Sequence, residues 1–564
     1  MNRIIKVFFT LALLTGVSCD LDKDLENPNE VSVNAADVNL IMNQVQLDFA
    51  AFFARAAGND VSAQPVVTVG ADQLVRMNAM TGGDTYDRAI APQNMDQVWT
   101  LAYQNVLVNV DVLLPLAEEK KLTTHIAAAK IMKAYVLITL VDLFGDVPNR
   151  EALKGNEGIF NPNVDPGQQV YEDAIALLNE ARTELAKTGA DAGPGLTRDI
   201  YYAGDRTKWT ALANTLELKA WLNISADPAR KTEATARVNS LLSANLIDTE
   251  AENFVYKYGT SDVPVRSRHP LYRQYYKPQA GAATGYIGNY FLKEAFNGKG
   301  VEDPRWRYYF YRQVGSIARA LQVDRESVPC VLTPKPDHYG ADQPFCVFEP
   351  GFFGRDHGNN DGGPPDQNVI TCVGVYPAGG RLDLNTGNAN YFDDTVQGDG
   401  ANGAGIEPIF MSFFTDFIKA EAVLRLGVAG DARQHLTNGI TRSIQQVKNF
   451  ANSRGQTLPA SLEPSTITYV DAVLARYDAP GADRLDVAMK EFYLSLWGNG
   501  VEAFNLYRRT SSPRNLQPTR ALNSGIFFRS LWYPAIFVNL NDQVAQKTDG
   551  SGQVFWDKNP DALK

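Results

Sequence analysis

The sequence predicts a mostly α-helical protein, in which a helical-repeat scaffold carries one large, irregular, loop-rich excursion. Two observations predict this architecture. Apolar residues recur at helical spacing in long segments before residue 250 and after residue 405, and between those limits glycine, proline, asparagine and tyrosine accumulate without helical periodicity. The chain has 564 residues, of which 45% are hydrophobic, so it is long enough to bury a large core.

The helical scaffold is predicted over residues 34–249. Its clearest helix places apolar residues three and four positions apart, at Ala127, Ile131, Ala134, Ile138 and Val141. Gly145 and Pro148 then stop it. A second helix repeats the pattern and opens with Asp165-Pro166, residue types preferred at an N-cap and in a first turn. A third helix surrounds Trp209, and a fourth lies upstream in MDQVWTLAYQNVLVNVDVLLPLAEE.

Alanines recur along these helices at the positions where successive antiparallel helices would cross. Bulky residues of one helix can fill the space that the alanines of its neighbour leave, which is how tetratricopeptide-type helix pairs stack. The strict repeat signature is absent from the sequence. We therefore predict a degenerate, tetratricopeptide-like scaffold.

The loop-rich excursion is predicted over residues 250–405. Segments such as DHGNNDGGPPDQN and TGNANYFDDTVQGDGANGAG can only form loops. An irregular insert of this length in a compact protein is usually functional, so we expect it to bind the ligand. Helical spacing returns in FFTDFIKAEAVLRLG, and residues 406–564 are predicted to form C-terminal helices and a tail that pack on the scaffold.

The first residues predict export and lipid anchoring. A basic start, an apolar run and a small-residue exit make residues 1–18 a signal peptide, too short to span a bilayer. Cys19 follows the predicted cut and is expected to carry acyl chains, and residues 19–33 form an acidic linker. The alternative is an ordinary secreted protein in which Cys19 has no role.

Charge and cysteine content limit the classes of partner. The net charge is −11 and no lysine or arginine cluster is present, which argues against nucleic acid and polyanionic ligands. Export permits disulfides, and Cys330 and Cys346 could close a loop. With Cys372 in the same region, the sequence does not choose the pair, and buried thiols remain the alternative.

No motif in the sequence indicates a catalyst. HExxH, GxSxG and the P-loop are absent, and the five histidines are dispersed. The GxGxxG match at GDGANG lacks the strand before it and the helix after it that a dinucleotide site needs. We expect no enzymatic activity, no cofactor and no metal.

The ligand site is predicted on the excursion, because ligand sites commonly lie on loops held by a rigid scaffold. Tyr286, Tyr290 and Trp306 are candidate stacking surfaces for a sugar ring. The candidate polar contacts are Arg355, Asp356 and His357, and a second candidate loop before the first strong helix contributes Asp84 and Tyr86. The alternative for each ring is that it fills the core of the irregular region.

With these segments placed, the chain resembles the SusD/RagB family of outer-membrane lipoproteins from Cys19 onwards. The resemblance depends on AYVLITLVDLFGDVP, QQVYEDAIALLNEA, AEAVLRLG and EFYLSLWGNGVEAFNLYRR. It implies tetratricopeptide-like helices packed on an irregular ligand-binding part, no catalysis, and a lipid tether that places the protein on the cell exterior as a lid over a TonB-dependent (SusC-like) transporter. These motifs belong to the scaffold and imply no ligand residue.

Together these observations predict a non-catalytic lipoprotein, anchored to the outer membrane and facing the exterior, that captures a nutrient and delivers it to the transporter. The nutrient is expected to be an oligosaccharide. The alternatives are a peptide binder, a purely structural transporter lid, and a periplasmic glycosidase.

Overall fold

The structure is a computed structural model, and it describes residues 36–57, 70–80, 85–263, 267–275, 287–312, 334–335, 337, 341, 347–348, 352–358, 371–377, 399–520 and 523–563. The predicted signal peptide and linker lie outside the described residues, as do Cys19, Asp84, Tyr286, Cys330 and Cys346. The predictions at those positions therefore stay predictions.

Most of the described residues are helical. The helices are α1 (Val38–Ala57), α2 (Gly70–Leu74), α3 (Tyr86–Ala89), α4 (Asp96–Thr100), α5 (Val108–Glu119), α6 (Thr123–Phe144), α7 (Gly167–Ala186), α8 (Arg206–Ile224), α9 (Lys231–Leu241), α10 (Pro270–Tyr275), α11 (Asn289–Phe296), α12 (Trp306–Tyr309), α13 (Ser412–Leu426), α14 (Ala432–Ser453), α15 (Thr466–Asp478), α16 (Arg484–Ser495), α17 (Gly500–Thr510) and α18 (Ala535–Leu540). Short 3₁₀ turns at Pro92–Met95, Gly155–Glu157, Gly189–Ala192 and Glu250–Glu252 connect them.

Strands are few and short in the described part of the chain. They are β1 (Phe254–Lys257), β2 (Phe310–Arg312), β3 (Val347–Phe348), β4 (Phe352–Phe353), β5 (Thr371–Val373) and β6 (Ile406–Phe410). They form three antiparallel pairs, β1 with β6, β2 with β5 and β3 with β4. Cys372 lies in β5, opposite Tyr311. The prediction of a mostly helical protein is confirmed, whereas the limits at residues 249 and 405 stay predictions.

Consecutive helices pack against each other in two series, α5 to α9 and α13 to α16. The predicted helix around Ile131 is α6, and it ends where predicted, because Gly145 adopts a positive φ of 81°. The prediction that Asp165 caps α7 is wrong. Asp165 instead pairs its backbone with Val147, and the first amide of α7, that of Gly167, donates to Asp146 Oδ1 at 2.7 Å.

The helical run Pro92–Glu119 contains a π-helical turn, Leu101–Leu107, between α4 and α5. Among the described residues, this run alone is long and apolar enough by length and composition to cross a membrane. It packs against α1 and α6, as a core helix of a globular protein does. Its composition is therefore weak evidence for a membrane span.

A buried polar network joins the first series of helices to α17 and to the C-terminal tail. Asp142 of α6 is 0% exposed and accepts hydrogen bonds from Tyr171, from Asn505 Nδ2 at 2.7 Å and from Trp556 Nε1 at 3.0 Å. These donors lie on α7, on α17 and in the C-terminal tail. Because a buried carboxylate requires such partners, the network holds all four segments in one arrangement.

Candidate ligand-binding site

Four backbone segments meet at residues 355–358. The amide of Arg355 donates to Ile287 O at 2.9 Å, and the amide of Asn289 donates to Arg355 O at 2.8 Å. The amide of Gly358 donates to Met80 O at 3.1 Å. The amide at position 520 donates to the carbonyl oxygen at position 357 at 2.7 Å. We call this meeting point the junction, residues 76–80, 287–289, 355–358 and 517–520.

Glycine is required at one position of the junction. A Cβ on Gly288 would overlap the carbonyl oxygen of Arg76, so only glycine lets these two backbones approach. The neighbouring bridge between Asn78 and Ile287 depends on this approach. The close approach of these two backbone segments therefore helps to bring the predicted site residues together.

The junction brings together Tyr86, Arg355, Asp356 and His357. The ring centroids of Tyr86 and His357 lie 5.6 Å apart. All four side chains are buried, with exposed fractions between 0% and 5%. A dissolved sugar cannot reach them in this structure, so the structure does not support direct ligand contact for these four side chains.

Burial controls the electrostatics of the junction. Asp356 Oδ1 accepts from Asn289 Nδ2 at 2.9 Å and from Gln517 Nε2 at 3.0 Å, but burial outweighs these bonds and raises the pKa of Asp356 to about 6. Burial, with a smaller contribution from Arg76, lowers the pKa of His357 well below its usual value. Both groups are thus driven toward their neutral forms, as expected of a structural polar cluster.

A second carboxyl, Asp72, is buried beside the junction. Its Oδ1 accepts from the Gln73 amide at 2.9 Å and its Oδ2 accepts from Asn78 Nδ2. Burial nevertheless raises its pKa to about 7. Since the folded state holds this proton more tightly than the unfolded chain, Asp72 stabilises the fold at low pH, and this stability is lost as the pH rises from about 4 to about 7.

Asp72→Asn is therefore expected to match the wild type in stability near pH 4 and to exceed it above pH 7. The upper limit of the gain is about 4 kcal/mol, at about 1.4 kcal/mol for each tenfold change in proton affinity. The new amide can donate to Asn78 Oδ1, which has no hydrogen-bond partner in the wild type. Urea unfolding across this pH range measures the effect. Asp471→Asn, on an exposed helix face, is the control, and parallel pH curves for Asp72→Asn and wild type would contradict the prediction.

The predicted stacking rings also lie in the core. Tyr290 is 1% exposed and donates its hydroxyl to Asn515 Oδ1 at 2.9 Å. Trp306 is 1% exposed, with Phe296 and Phe352 at centroid distances of 4.8 and 4.5 Å and the Arg307 guanidinium 4.5 Å from its ring. A sugar needs an open ring face for stacking, so the core alternative describes both residues in this structure.

An open cleft lies next to Trp306. It has a volume of about 420 Å³ and runs between the segment from Val301 to Arg307 and the start of α15. It is lined by Val301, Glu302, Arg307, Ser461, Leu462, Glu463, Pro464, Ser465, Thr468 and Tyr469. We call it the α15 cleft.

Paired charges line the α15 cleft. Glu302 Oε2 accepts from Trp306 Nε1 at 3.1 Å and lies 3.9 Å from Arg307 Nε. Glu463 pairs with Lys448 at 2.8 Å. Burial lowers the pKa of Arg307, and Glu302 opposes that effect.

A buried ionic cluster behind the α15 cleft holds its walls in place. Arg305 is 0% exposed and binds Asp303 through two hydrogen bonds, at 2.8 and 2.6 Å. Tyr469 Oη lies 2.8 Å from Asp303 Oδ2 and 2.8 Å from Glu491 Oε2. Lys299 pairs with Glu491 at 3.1 Å. Lys299 before Glu302 and Asp303 after it are therefore both held by the cluster, and Tyr469 ties that wall to α15.

Sequence reasoning missed this cleft. Arg307 and Glu302 stand beside the predicted Trp306, but no periodicity links them to residues 461–469, which lie far along the chain. The only local pattern in this region is Ser465 before an apolar helix, which is typical of an N-cap and predicts where α15 begins. In the structure, Ser465 Oγ accepts from the Thr468 amide at 3.2 Å. In the part of the chain that the structure describes, no group of three or more His, Cys, Asp or Glu residues could hold a metal ion.

Comparison with known proteins identifies the family. A family model described as SusD-like, starch-binding and associating with the outer membrane matches residues 28–322 and 370–534. The chain belongs to the SusD-like family. The predicted resemblance to SusD/RagB proteins is thereby confirmed. Among curated proteins, no relative matches the sequence significantly.

Solved structures share this SusD-like fold. A SusD/RagB family protein from Bacteroides thetaiotaomicron aligns with a TM-score of 0.65 at 18% identity, covering 93% of this chain and 99% of its own. A chitin-binding SusD homologue from Flavobacterium johnsoniae aligns with a TM-score of 0.61 at 18% identity, covering 91% and 99%. A further chitin-binding protein aligns with a TM-score of 0.65 at 19% identity, covering 93% and 100%. At these identities the likeness shows the fold.

Proposed function

We propose that this SusD-like protein captures an oligosaccharide at the outer membrane and delivers it, unmodified, to a TonB-dependent (SusC-like) transporter. The observation that carries the proposal is the match to a starch-binding, outer-membrane-associated family over most of the chain. The chitin-binding descriptions of two structural neighbours support a carbohydrate ligand.

The positions of the carboxyl groups favour binding over hydrolysis. A glycosidase needs a general acid with a raised pKa beside the scissile bond. In the described structure, the carboxyls whose pKa is raised well above its usual value are those of Asp72, Asp356 and Asp416, and each of these residues is only 3% exposed. None of them is placed to protonate a bound glycoside.

Calorimetric titration of the purified chain with maltohexaose and chitohexaose tests the proposal. We expect saturable binding of at least one of these glycans and no reducing ends released on long incubation. Release of reducing ends would contradict the binding role. Binding to members of a peptide library, without binding to either glycan, would show that the ligand is a peptide and not a sugar. Co-purification of a TonB-dependent transporter from detergent-solubilised outer membranes tests the partner, and recovery of the protein alone would oppose it.

Lipid anchoring through Cys19 is part of the same proposal. Cys19→Ala is expected to leave a folded protein that no longer sediments with membranes, because at about 0.8 kcal/mol per buried methylene the acyl chains supply the attachment. Cys372→Ala is the matched cysteine control and should still sediment. Protease treatment of intact cells should degrade the wild-type protein if it faces the exterior. If the Cys19→Ala variant still sediments with membranes, the anchoring through Cys19 is contradicted. If the wild-type protein is fully protected from protease, its exposure on the cell exterior is contradicted.

A further inference from the structure

The α15 cleft has the size and stiffness of a ligand site. Its volume of about 420 Å³ falls in the range of about 300–1,000 Å³ that small-molecule sites occupy. The buried ion pairs of Arg305 with Asp303 and of Lys299 with Glu491 hold the wall that carries Glu302. Little conformational freedom would therefore be lost when a ligand binds.

The carboxylates that line the α15 cleft are each paired with a cation. Glu302 and Glu463 are partly exposed, with 39% and 26% of their side chains accessible. Glu302 lies beside Arg307 in the lining, and Glu463 pairs with Lys448, which lies outside the lining. An acidic ligand would meet both carboxylates, and a basic one would have to displace Arg307 or Lys448 from them, so a neutral ligand loses least on entering.

The polar groups of the α15 cleft match the hydrogen-bonding pattern of a sugar hydroxyl, which both donates and accepts. Glu302 and Glu463 accept, whereas the Arg307 guanidinium donates in a planar fork. Ser461 and Thr468, both exposed at the rim, can do either. The combination fits a unit that presents several hydroxyls at fixed positions.

Aromatic stacking is not available in the α15 cleft. Its aromatic floor, Tyr469, is 0% exposed, and the adjacent Trp306 is covered by Arg307. A sugar here would be held edge-on through its hydroxyls. Such a site rejects analogues that lack a hydroxyl much more strongly than a stacking surface does, because polar groups that the ligand shields from water would be left without a partner.

We propose that the α15 cleft binds a neutral sugar unit of the captured oligosaccharide, through hydroxyl-specific hydrogen bonds to Glu302, Arg307 and Glu463. This assignment rests on the proposed function, since it names the site and the ligand class for carbohydrate capture.

Two variants test the site by calorimetric titration with maltohexaose, chitohexaose and, as the acidic probe, trigalacturonate. Glu302→Gln keeps the shape and an acceptor for the Trp306 indole, and it is expected to weaken neutral glycan binding by about tenfold or more. Thr468→Trp fills the cleft and should abolish measurable binding while leaving the helix cap at the residue 468 amide intact. The wild type should bind neutral glycans with little dependence on salt.

Each variant has a matched control. Ile467 is 74% exposed and lies outside the cleft lining, so Ile467→Trp adds the same bulk one residue away and should bind like the wild type. Glu233→Gln changes an exposed carboxylate elsewhere in the same way as Glu302→Gln.

The outcomes separate the cleft from the proposed function. If the wild type binds a neutral glycan and both Glu302→Gln and Thr468→Trp bind it equally well, the cleft assignment is overturned and the proposed function stands. If the wild type binds trigalacturonate more tightly than the neutral glycans, the assignment of a neutral ligand is wrong. If the wild type binds none of the glycans while folded, the proposed function and the cleft assignment both fail.

Discussion

Replacing Arg509 with methionine is expected to lower the free energy of unfolding by about 3–5 kcal/mol, the usual cost of breaking a buried ion pair. Arg509 on α17 donates Nε and Nη2 to the two oxygens of Glu421 on α13, each at 2.7 Å. Its Nη1 donates to Asn223 Oδ1 on α8 at 2.6 Å. The variant leaves Glu421, which is 0% exposed, with Arg425 as its remaining cation.

The loss of stability in Arg509→Met should be larger at neutral pH than in acid. Burial alone would raise the pKa of Glu421, but Arg509 and Arg425 hold it below its usual value. The ion pair therefore stabilises the fold above the unfolded pKa of about 4.5, and that stability is lost as the pH falls through the folded value. The difference between the variant and the wild type should narrow in acid, where Glu421 becomes protonated.

Urea unfolding at pH 7 and pH 4 measures both expectations. Arg433→Met is the matched control, because Arg433 pairs with Asp478 on the surface, where the two side chains are 49% and 46% exposed. That change should cost little stability, because water and salt screen an ion pair on the surface. A stability loss for Arg509→Met no larger than that of the control would show that the pair contributes nothing to the fold.

Replacing Trp306 with alanine is also expected to cost about 3–5 kcal/mol, as large-to-small changes at a buried tryptophan do. The ring is 1% exposed and packs against Phe296 and Phe352. The change also removes the indole donor of Glu302 and the surface on which Arg307 stacks. A fall in stability should therefore accompany any fall in glycan affinity.

Trp306→Phe separates packing from polar contact. Phenylalanine keeps most of the apolar contact and loses the 3.1 Å hydrogen bond to Glu302, so a loss of about 1–3 kcal/mol is expected. The contrary result is a Trp306→Ala protein with wild-type stability and greatly reduced glycan affinity. It would restore Trp306 as an exposed stacking surface.

The helical scaffold was predictable because its signals are local. The spacing of Ile131, Ala134 and Ile138 places them on one side of a helix whatever they pack against, and α6 forms there. The N-cap of α7 was not predictable in the same way. Asp165 and Asp146 are both suitable acceptors near the Gly167 amide, and the pairing of Val147 with Asp165 decides between them.

In the candidate site, the residue types could be read from the sequence, but their accessibility could not. Tyr290 and Trp306 have the composition of a sugar platform, but their exposure depends on Asn515, Phe352 and other residues distant in sequence. The walls of the α15 cleft come from two segments distant in sequence, and Tyr469 joins them through its contacts with Asp303 and Glu491. No window of the sequence contains both of its walls.

By itself, the sequence determined the helical class, the family motifs and the chemical types available for binding, since periodicity and composition are properties of neighbouring residues. The tertiary structure alone decided which of those groups are accessible. Burial of Tyr86, Asp356 and His357 at the junction, and the opening of the cleft beside Arg307, follow from contacts between segments far apart in the chain. A side chain binds a ligand only where those contacts leave it open to solvent, because the same residue types pack equally well in a core.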